Sequence, residues 1–172
     1  MSSPNPSHPP LRIPIADLLR KTGAVRDLDV SVRIADLGNG AASVPDDEPV
    51  RVEGTLERIG EGVVVRGTVH APWRAGCSRC LQPVEGTIDV HVDELFETAP
   101  LAGETYQLDD DALDLLPLVR DVLLLELPTA PLCRDDCAGI CPECGTDRNV
   151  TACECRHEES DPRWAALRSL EL

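Results

Sequence analysis

The stretch from Val50 to Trp73 reads VRVEGTLERIGEGVVVRGTVHAPW. In its first half Val50, Val52, Gly54 and Leu56 alternate with Arg51, Glu53, Thr55 and Glu57. In its second half Val63, Val65, Gly67, Val69, Ala71 and Trp73 keep the same period of two. A period of two places one set of side chains on each face of a pleated strand, and Gly60-Glu61-Gly62 between the runs supplies a turn. The stretch is therefore expected to be a β-hairpin with one apolar and one wet face. Working outward, Leu28, Val30, Val32 and Ile34 alternate with polar residues ahead of it. After it, Val84, Gly86, Ile88, Val90 and Val92 alternate with Glu85, Thr87, Asp89, His91 and Asp93. Four strands of this kind make an antiparallel sheet whose apolar face needs a cover.

Helical spacing appears in the flanks. Leu115 to about Leu127 carries a wide apolar face of Leu115, Leu116, Val119, Val122, Leu123 and Leu125, with Asp114 placed to cap it, Pro117 in its first turn and Pro128 to stop it. This is expected to be a long helix lying across the sheet. A turn or two of helix is expected from Pro14 to Arg20, ended by Thr22-Gly23, and a short terminal helix from Asp161 to Leu170. Gly38 to Pro49 lacks periodicity and reads as a surface loop, and Met1 to Pro10, with four prolines, as a disordered tail. The expected class is α+β: an antiparallel β-sheet or small partly open barrel covered by one long helix, with a Cys-rich C-terminal segment. Its parts are a tail over residues 1–10, a sheet-plus-helix domain over 11–130, and a zinc-binding extension with the terminal helix over 131–172, packed on the same domain.

Composition narrows the function. The 172 residues include 16 Lys or Arg against 31 Asp or Glu, a formal charge of −15, with 42% hydrophobic residues. Such a charge repels a phosphate backbone, and the four aromatic residues Trp73, Phe96, Tyr106 and Trp164 are too few for a base-stacking platform. A basic protein partner suits this chain better than naked RNA. The longest hydrophobic run, Val122 to Leu125, is too short to span a bilayer, and the expected location is the cytoplasm.

Eight cysteines are the exception to this plain composition: Cys77, Cys80, Cys133, Cys137, Cys141, Cys144, Cys153 and Cys155. Cys77-Ser78-Arg79-Cys80 and Cys141-Pro142-Glu143-Cys144-Gly145 are knuckles in which a tight turn aims two sulfurs at one ion, with Gly145 free to take the positive φ such turns need. In a reducing cytosol, paired thiols point to metal before disulfides. Zinc favours tetrahedral thiolate coordination, so eight thiols imply two structural zinc ions. The most local partition groups Cys141, Cys144, Cys153 and Cys155, and leaves Cys133 and Cys137 to join Cys77 and Cys80. His157 is a weaker ligand candidate beside Glu158-Glu159. A thioredoxin-like redox pair would sit at a helix start in a βαβ unit, a context neither pair has.

Other constellations read as ordinary surface. Asp109-Asp110-Asp111 with Asp114 could hold Mg²⁺ in a nuclease, but an acidic run before a helix more often complements its dipole. His70 and His91 lie on the wet strand face. No Ser/His/Asp order, phosphate-cradling loop or catalytic carboxylate pair stands out, and no enzyme is expected.

Taken in order, Cys77-Ser78-Arg79-Cys80-Leu81 before a strand, Leu127-Pro128, Pro131-Leu132-Cys133, Cys141-Pro142-Glu143-Cys144-Gly145, Cys153-Glu154-Cys155 and Asp161-Pro162-Arg163-Trp164 resemble the YceD family. That family comprises the large ribosomal RNA subunit accumulation proteins. The resemblance covers most of the chain after the tail. It implies a role in production or stability of large-subunit ribosomal RNA, without a known enzyme activity. Combined with the acidic charge, it gives the expected function: a non-enzymatic, zinc-stabilised ribosome-biogenesis factor acting through a ribosomal protein or assembly factor. A zinc-ribbon module binding RNA or polymerase, and a zinc-thiol redox sensor, are the alternatives.

Overall fold

The computed structural model describes residues 11–100 and 104–155. In chain order its elements are β1 (Arg12–Pro14), a 3-10 turn (Leu18–Arg20), β2 (Val25–Val32), β3 (Ala42–Ser43), β4 (Val50–Ile59), β5 (Gly62–Gly76), β6 (Pro83–Glu97), β7 (Tyr106–Gln107), β8 (Ala112–Asp114) and α1 (Leu116–Glu126). The Val50–Trp73 stretch forms the expected hairpin, β4 and β5 pairing antiparallel from Arg51↔His70 to Ile59↔Gly62. The main sheet runs β2-β4-β5-β6-β7, with β3 also paired to β5. The sheet stays open, because its outermost strands β2 and β7 do not pair with each other. A closed barrel is thus excluded.

Burial follows the alternation. Val50, Val52 and Leu56 of β4, Val63, Val65, Val69 and Ala71 of β5, and Ile88, Val92 and Phe96 of β6 are buried in one cluster with Leu28 and Val32 of β2. At the centre of the hairpin Gly54 faces Gly67. A Cβ on Gly54 would lie 2.0 Å from the Arg66 carbonyl oxygen, and one on Gly67 would lie 2.1 Å from that of Glu53. The two backbones approach so closely there that only glycine fits either strand.

The cover differs from the expected long helix. α1 has eleven residues, so it is about 16 Å long. The fifteen residues of β5 and of β6 extend about 50 Å. The helix packs against β5 and β6 and buries Leu118, Val119 and Leu123. Segments that sequence periodicity could not mark share the cover: Leu11, Ile15 and Leu18 near the start, Leu37 and Val44 before β4, and Leu108, Leu113 and Leu115 before the helix are all buried in the same core. The Asp114 carboxylate accepts a hydrogen bond from the Leu116 N–H at 2.9 Å, as a capping role requires, although Leu115 occupies the N-cap position.

Three further expectations change. The stretch from Pro14 to Arg20 holds a single 3-10 turn, because Arg12–Pro14 pair with Ala112–Asp114 in a separate two-stranded sheet. The surface loop from Gly38 to Pro49 contains β3 and is anchored by buried Ala42 and Val44. One pairing in the main sheet, β6 with β7, is parallel. The proline-rich tail and the terminal helix lie outside the described residues.

Candidate metal centre

The fifteen-residue strands β5 and β6 pair to their ends, Gly76↔Pro83, so Cys77 and Cys80 sit where a hairpin turn would be. The Leu81 N–H donates to the Cys77 carbonyl at 2.9 Å, and the Cys77 N–H donates to that of Gln82 at 2.8 Å. Leu81 is at φ +62°. The second knuckle repeats the pattern one for one: Gly145 N–H to Cys141 carbonyl at 2.9 Å, Cys141 N–H to Thr146 carbonyl at 2.8 Å, and Gly145 at φ +73°. A left-handed residue four places after the first cysteine closes both turns and leaves backbone N–H groups directed at the sulfurs.

The chain reaches the first knuckle a second time after α1. The helix ends at Leu127, whose carbonyl accepts from the Asn39 side-chain amide at 2.9 Å, and Pro128 prevents its continuation. The Ser78 N–H then donates to the Pro131 carbonyl at 2.8 Å, and the Ile140 N–H to the Arg79 carbonyl at 2.9 Å. Gly139 lies against Arg79 so tightly that a Cβ would come within 2.9 Å of the Arg79 carbonyl oxygen. This zipper brings Cys133 and Cys137 to Cys77 and Cys80.

The sulfurs gather in two sets, Cys77, Cys80, Cys133 and Cys137, and Cys141, Cys144, Cys153 and Cys155, each with all its sulfurs within 4.8 Å of one another. Among the described residues these are the only groups of three or more His, Cys, Asp or Glu at such range. Cys77 Sγ lies 3.8 Å from Cys137 Sγ, and Cys80 Sγ 3.5 Å from Cys133 Sγ. A disulfide needs about 2.05 Å. Zinc–sulfur bonds of about 2.3 Å in a tetrahedron put sulfurs about 3.8 Å apart. The donor set, the number of donors and the spacing all fit zinc. The partition is the one that spacing along the chain favours.

Charge gives the same fit. Hydrogen bonding from the Cys80 backbone N–H, against the cost of burial, brings the Cys77 thiol down to about 6. The Thr146 hydroxyl and backbone bring Cys144 to about 6. In each set another thiol moves the other way: Cys133, beside Cys80, is pushed up to about 12, and Cys155, beside Cys144, also to about 12. Four thiols this close cannot all ionise unaided, and a divalent cation is what would let them.

The sets differ in setting. Cys77, Cys80 and Cys137 are buried, whereas in the second set only Cys141 is, with Cys144 exposed. The loops of the two sets are joined by the hydrogen bond that the Arg148 N–H donates to the Gly139 carbonyl at 2.9 Å, and the Asn149 side chain reaches a sulfur. Asn149, in the loop between Cys144 and Cys153, donates from Nδ2 to Cys137 Sγ at 3.4 Å, and its Oδ1 accepts from the Ala138 N–H at 2.8 Å and from Arg134 at 2.7 Å. Sequence reading gives no signal for Asn149, since its role depends on a contact between separate loops.

The remaining candidates are placed elsewhere. Asp109 and Asp111 pair with Arg12 at 2.9 and 3.4 Å, and Asp114 serves the helix, so the acidic run is engaged structurally. His70 lies on the wet face between Asp89 at 2.6 Å and Glu53 at 3.2 Å, and His91 bonds Thr68. Cys77 and Cys80 join antiparallel strands, away from any helix start. His157 lies outside the described residues.

Comparison with known proteins decides the family. The profile of the family described as "Large ribosomal RNA subunit accumulation protein YceD" matches residues 65–171, a span that includes every cysteine. The chain belongs to the YceD family. A relative from Mycobacterium tuberculosis, named only as an uncharacterised protein, is 38% identical over 92% of this chain and 80% of its own length. The uncharacterised protein YlbN of Bacillus subtilis is 28% identical over 84% of this chain and 87% of its own. An Arabidopsis thaliana relative, named as a chloroplastic large ribosomal RNA subunit accumulation protein YCED homolog, is 24% identical over 90% of this chain and 56% of its own. No solved structure gives a significant match. Among the described residues of this YceD-family chain, no helix is long and apolar enough to cross a membrane.

Proposed function

We propose that this chain is a non-enzymatic factor of ribosome biogenesis, held in shape by two structural zinc ions, which supports the synthesis, processing or stability of large-subunit ribosomal RNA through protein contacts in the cytoplasm. The observation that carries this reading is the match to the large ribosomal RNA subunit accumulation family over residues 65–171. The thiol sets support zinc: all eight cysteines fall into two groups of four, the sulfurs of each within 4.8 Å of one another. Each would take Zn²⁺ through four thiolates, a filled coordination sphere that leaves no position for water or substrate and supplies folding energy in place of catalysis. The formal charge of −15 favours a basic protein, such as a ribosomal protein or assembly factor, over direct contact with RNA phosphates.

The test is depletion with complementation, read by sucrose gradient and by large-subunit ribosomal RNA level. A shortage of large subunits or an excess of precursor RNA, restored by the wild-type chain, is expected. A normal profile under complete depletion would overturn the reading. Metal analysis of protein purified without added metal is expected to give about two zinc ions per chain.

A further inference from the structure

The strand β2 is an edge of the main sheet, paired on one side only, to β4. The phase of the ladder shows which of its backbone groups are left over. Ile59↔Gly62 closes the β4–β5 turn, so the odd-numbered residues of β4 bond to β5 and the even-numbered ones to β2. Their partners in β2 are Arg26, Leu28, Val30 and Val32. Val25, Asp27, Asp29 and Ser31 therefore turn their N–H and C=O groups outward, and no hydrogen bond among the described residues engages these groups. This eight-residue edge has no Pro, and its charges Arg26, Asp27 and Asp29 discourage pairing with a like strand while leaving the backbone open to a strand of complementary charge.

A groove of about 400 Å³ runs beside it, walled by consecutive residues Arg26 to Val30 and, opposite, by Ile13, Pro14 and Asp17. Only a strand's edge presents side chains of both parities to one groove. The inner side is apolar, with Leu28 buried and Val30 and Ile13 half-buried. The outer side carries Asp27 and Asp29, both exposed. Arg26 is already paired with Asp17 at 2.9 Å and Asp29 with Arg51 at 3.0 Å, whereas Asp27 has no ion-pair partner among the described residues.

We propose that the free edge of β2 is the docking strand for an extended, basic segment of a partner protein, which alternates apolar residues with Lys or Arg and joins the sheet by main-chain hydrogen bonds. This rests on the reading that the protein works through a basic partner, and it says where that partner attaches. Strand addition of this kind takes its affinity from the backbone and its specificity from alternate side chains. Here the apolar set lies over Ile13, Leu28 and Val30, and the basic set lies beside Asp27, whose carboxylate is the unpaired one on this edge among the described residues. The edge carboxylates argue against a second copy of the chain, because antiparallel β2–β2 pairing would crowd Asp27 and Asp29 of one copy against those of the other. The chain's own first ten residues are ill suited, since prolines at 4, 6, 9 and 10 lack the N–H a ladder needs.

The test titrates the full-length, zinc-loaded chain with acetyl-Thr-Lys-Val-Lys-Val-Lys-Thr-amide while following backbone amide exchange by NMR. The amides of Val25, Asp27, Asp29 and Ser31 are expected to exchange quickly in the free protein and slowly at saturation. Of two analogues, one N-methylated at each Val and the other at each Lys, one should lose binding and the other keep it, since alternate residues of an added strand face the edge. Reversing the unpaired charge, Asp27→Lys, should weaken binding about tenfold in protein that retains its circular dichroism. Absence of binding, equal binding by both analogues, or unchanged affinity of the charge-reversed protein would overturn the proposal. So would slow exchange of these amides in the free protein, which marks an edge already covered, by a second copy if it depends on concentration and by the chain's own residues if it does not. None of these outcomes alters the ribosomal RNA phenotype, by which the broader function is judged separately.

Discussion

The two cysteine knuckles share their backbone hydrogen bonds and differ in nearly everything around them. The first closes the β5–β6 hairpin and has three buried sulfurs, with two of its four ligands delivered from beyond α1. The second draws all four sulfurs from the fifteen residues Cys141 to Cys155, and one sulfur is buried. With an ion bound, the same local device would serve two purposes: the first set would join distant parts of the fold, and the second would give shape to a segment with little apolar core of its own.

The most direct way to break this contrast is to remove one ligand from each set. Cys77→Ser should cost about 4 kcal/mol of folding stability and free the strand ends around Gly76 and Pro83. Cys144→Ser should lose one zinc ion equally well but leave the free energy of urea unfolding of the sheet within about 1 kcal/mol of wild type. Equal stability losses would mean that the two sets form one unit. A second expectation concerns release. A chromogenic chelator should take one zinc ion from the less buried second set at least about tenfold faster than the other, because local opening there disturbs little packing.

The metal-free protein sharpens the contrast further. Cys77 and Cys144 both lie near 6, below neutral pH, so both are thiolates at pH 7. Cys77 is fully buried and Cys144 exposed, so iodoacetamide should label Cys144 about tenfold faster, as peptide mass spectrometry can count. Lowering the pH through 6 should slow the labelling of both by protonating the two thiolates, while their order, set by exposure, stays the same. Cys133 and Cys155, pushed to about 12, should be slow throughout.

Smaller effects test the connection between the sets. Asn149→Ala removes the Nδ2 hydrogen bond to Cys137 and should cost about 1 kcal/mol, with faster zinc loss from the first set although its four ligands are intact. Smallest is Leu81→Gly. Leu81 holds a left-handed conformation that Gly145 holds in the other knuckle, so this change should stabilise the first site by up to about 1 kcal/mol, seen as slower chelator release.

Much of this was legible in the chain because it repeats at short range. The alternation of Val50–Trp73 located the hairpin and its buried face, and Gly145 announced the left-handed turn of its knuckle. Leu81 did not, since no leucine announces a positive φ, and only its equivalence to Gly145 in space reveals the shared geometry. The strands β1 and β8 are three residues each and pair across the length of the domain, so no periodicity marks them. The cover of the sheet was misjudged for a related reason. Buried Leu11, Leu37 and Leu108 stand singly in irregular segments, while α1 showed an apolar face broad enough to suggest that it did the whole task. The thiol partition was readable from spacing along the chain. The tie through Asn149 was not.

Joining Cys77 to Cys137 has a consequence in polymer terms. The loop so closed spans 60 residues, against the short span from Cys141 to Cys155. Since the entropy of loop closure grows with the logarithm of length, an ion in the first set would remove about 1 kcal/mol more conformational freedom from the unfolded chain than an ion in the second. It would act as a cross-link between the sheet and the segment after the helix, made and broken by metal exchange and needing no oxidant. Synthesis from the N-terminus completes this ligand set only when Cys137 has emerged, after every strand of the sheet. An ion there would therefore close on strands that have all been made, and losing it would loosen the ends of the fold before its centre.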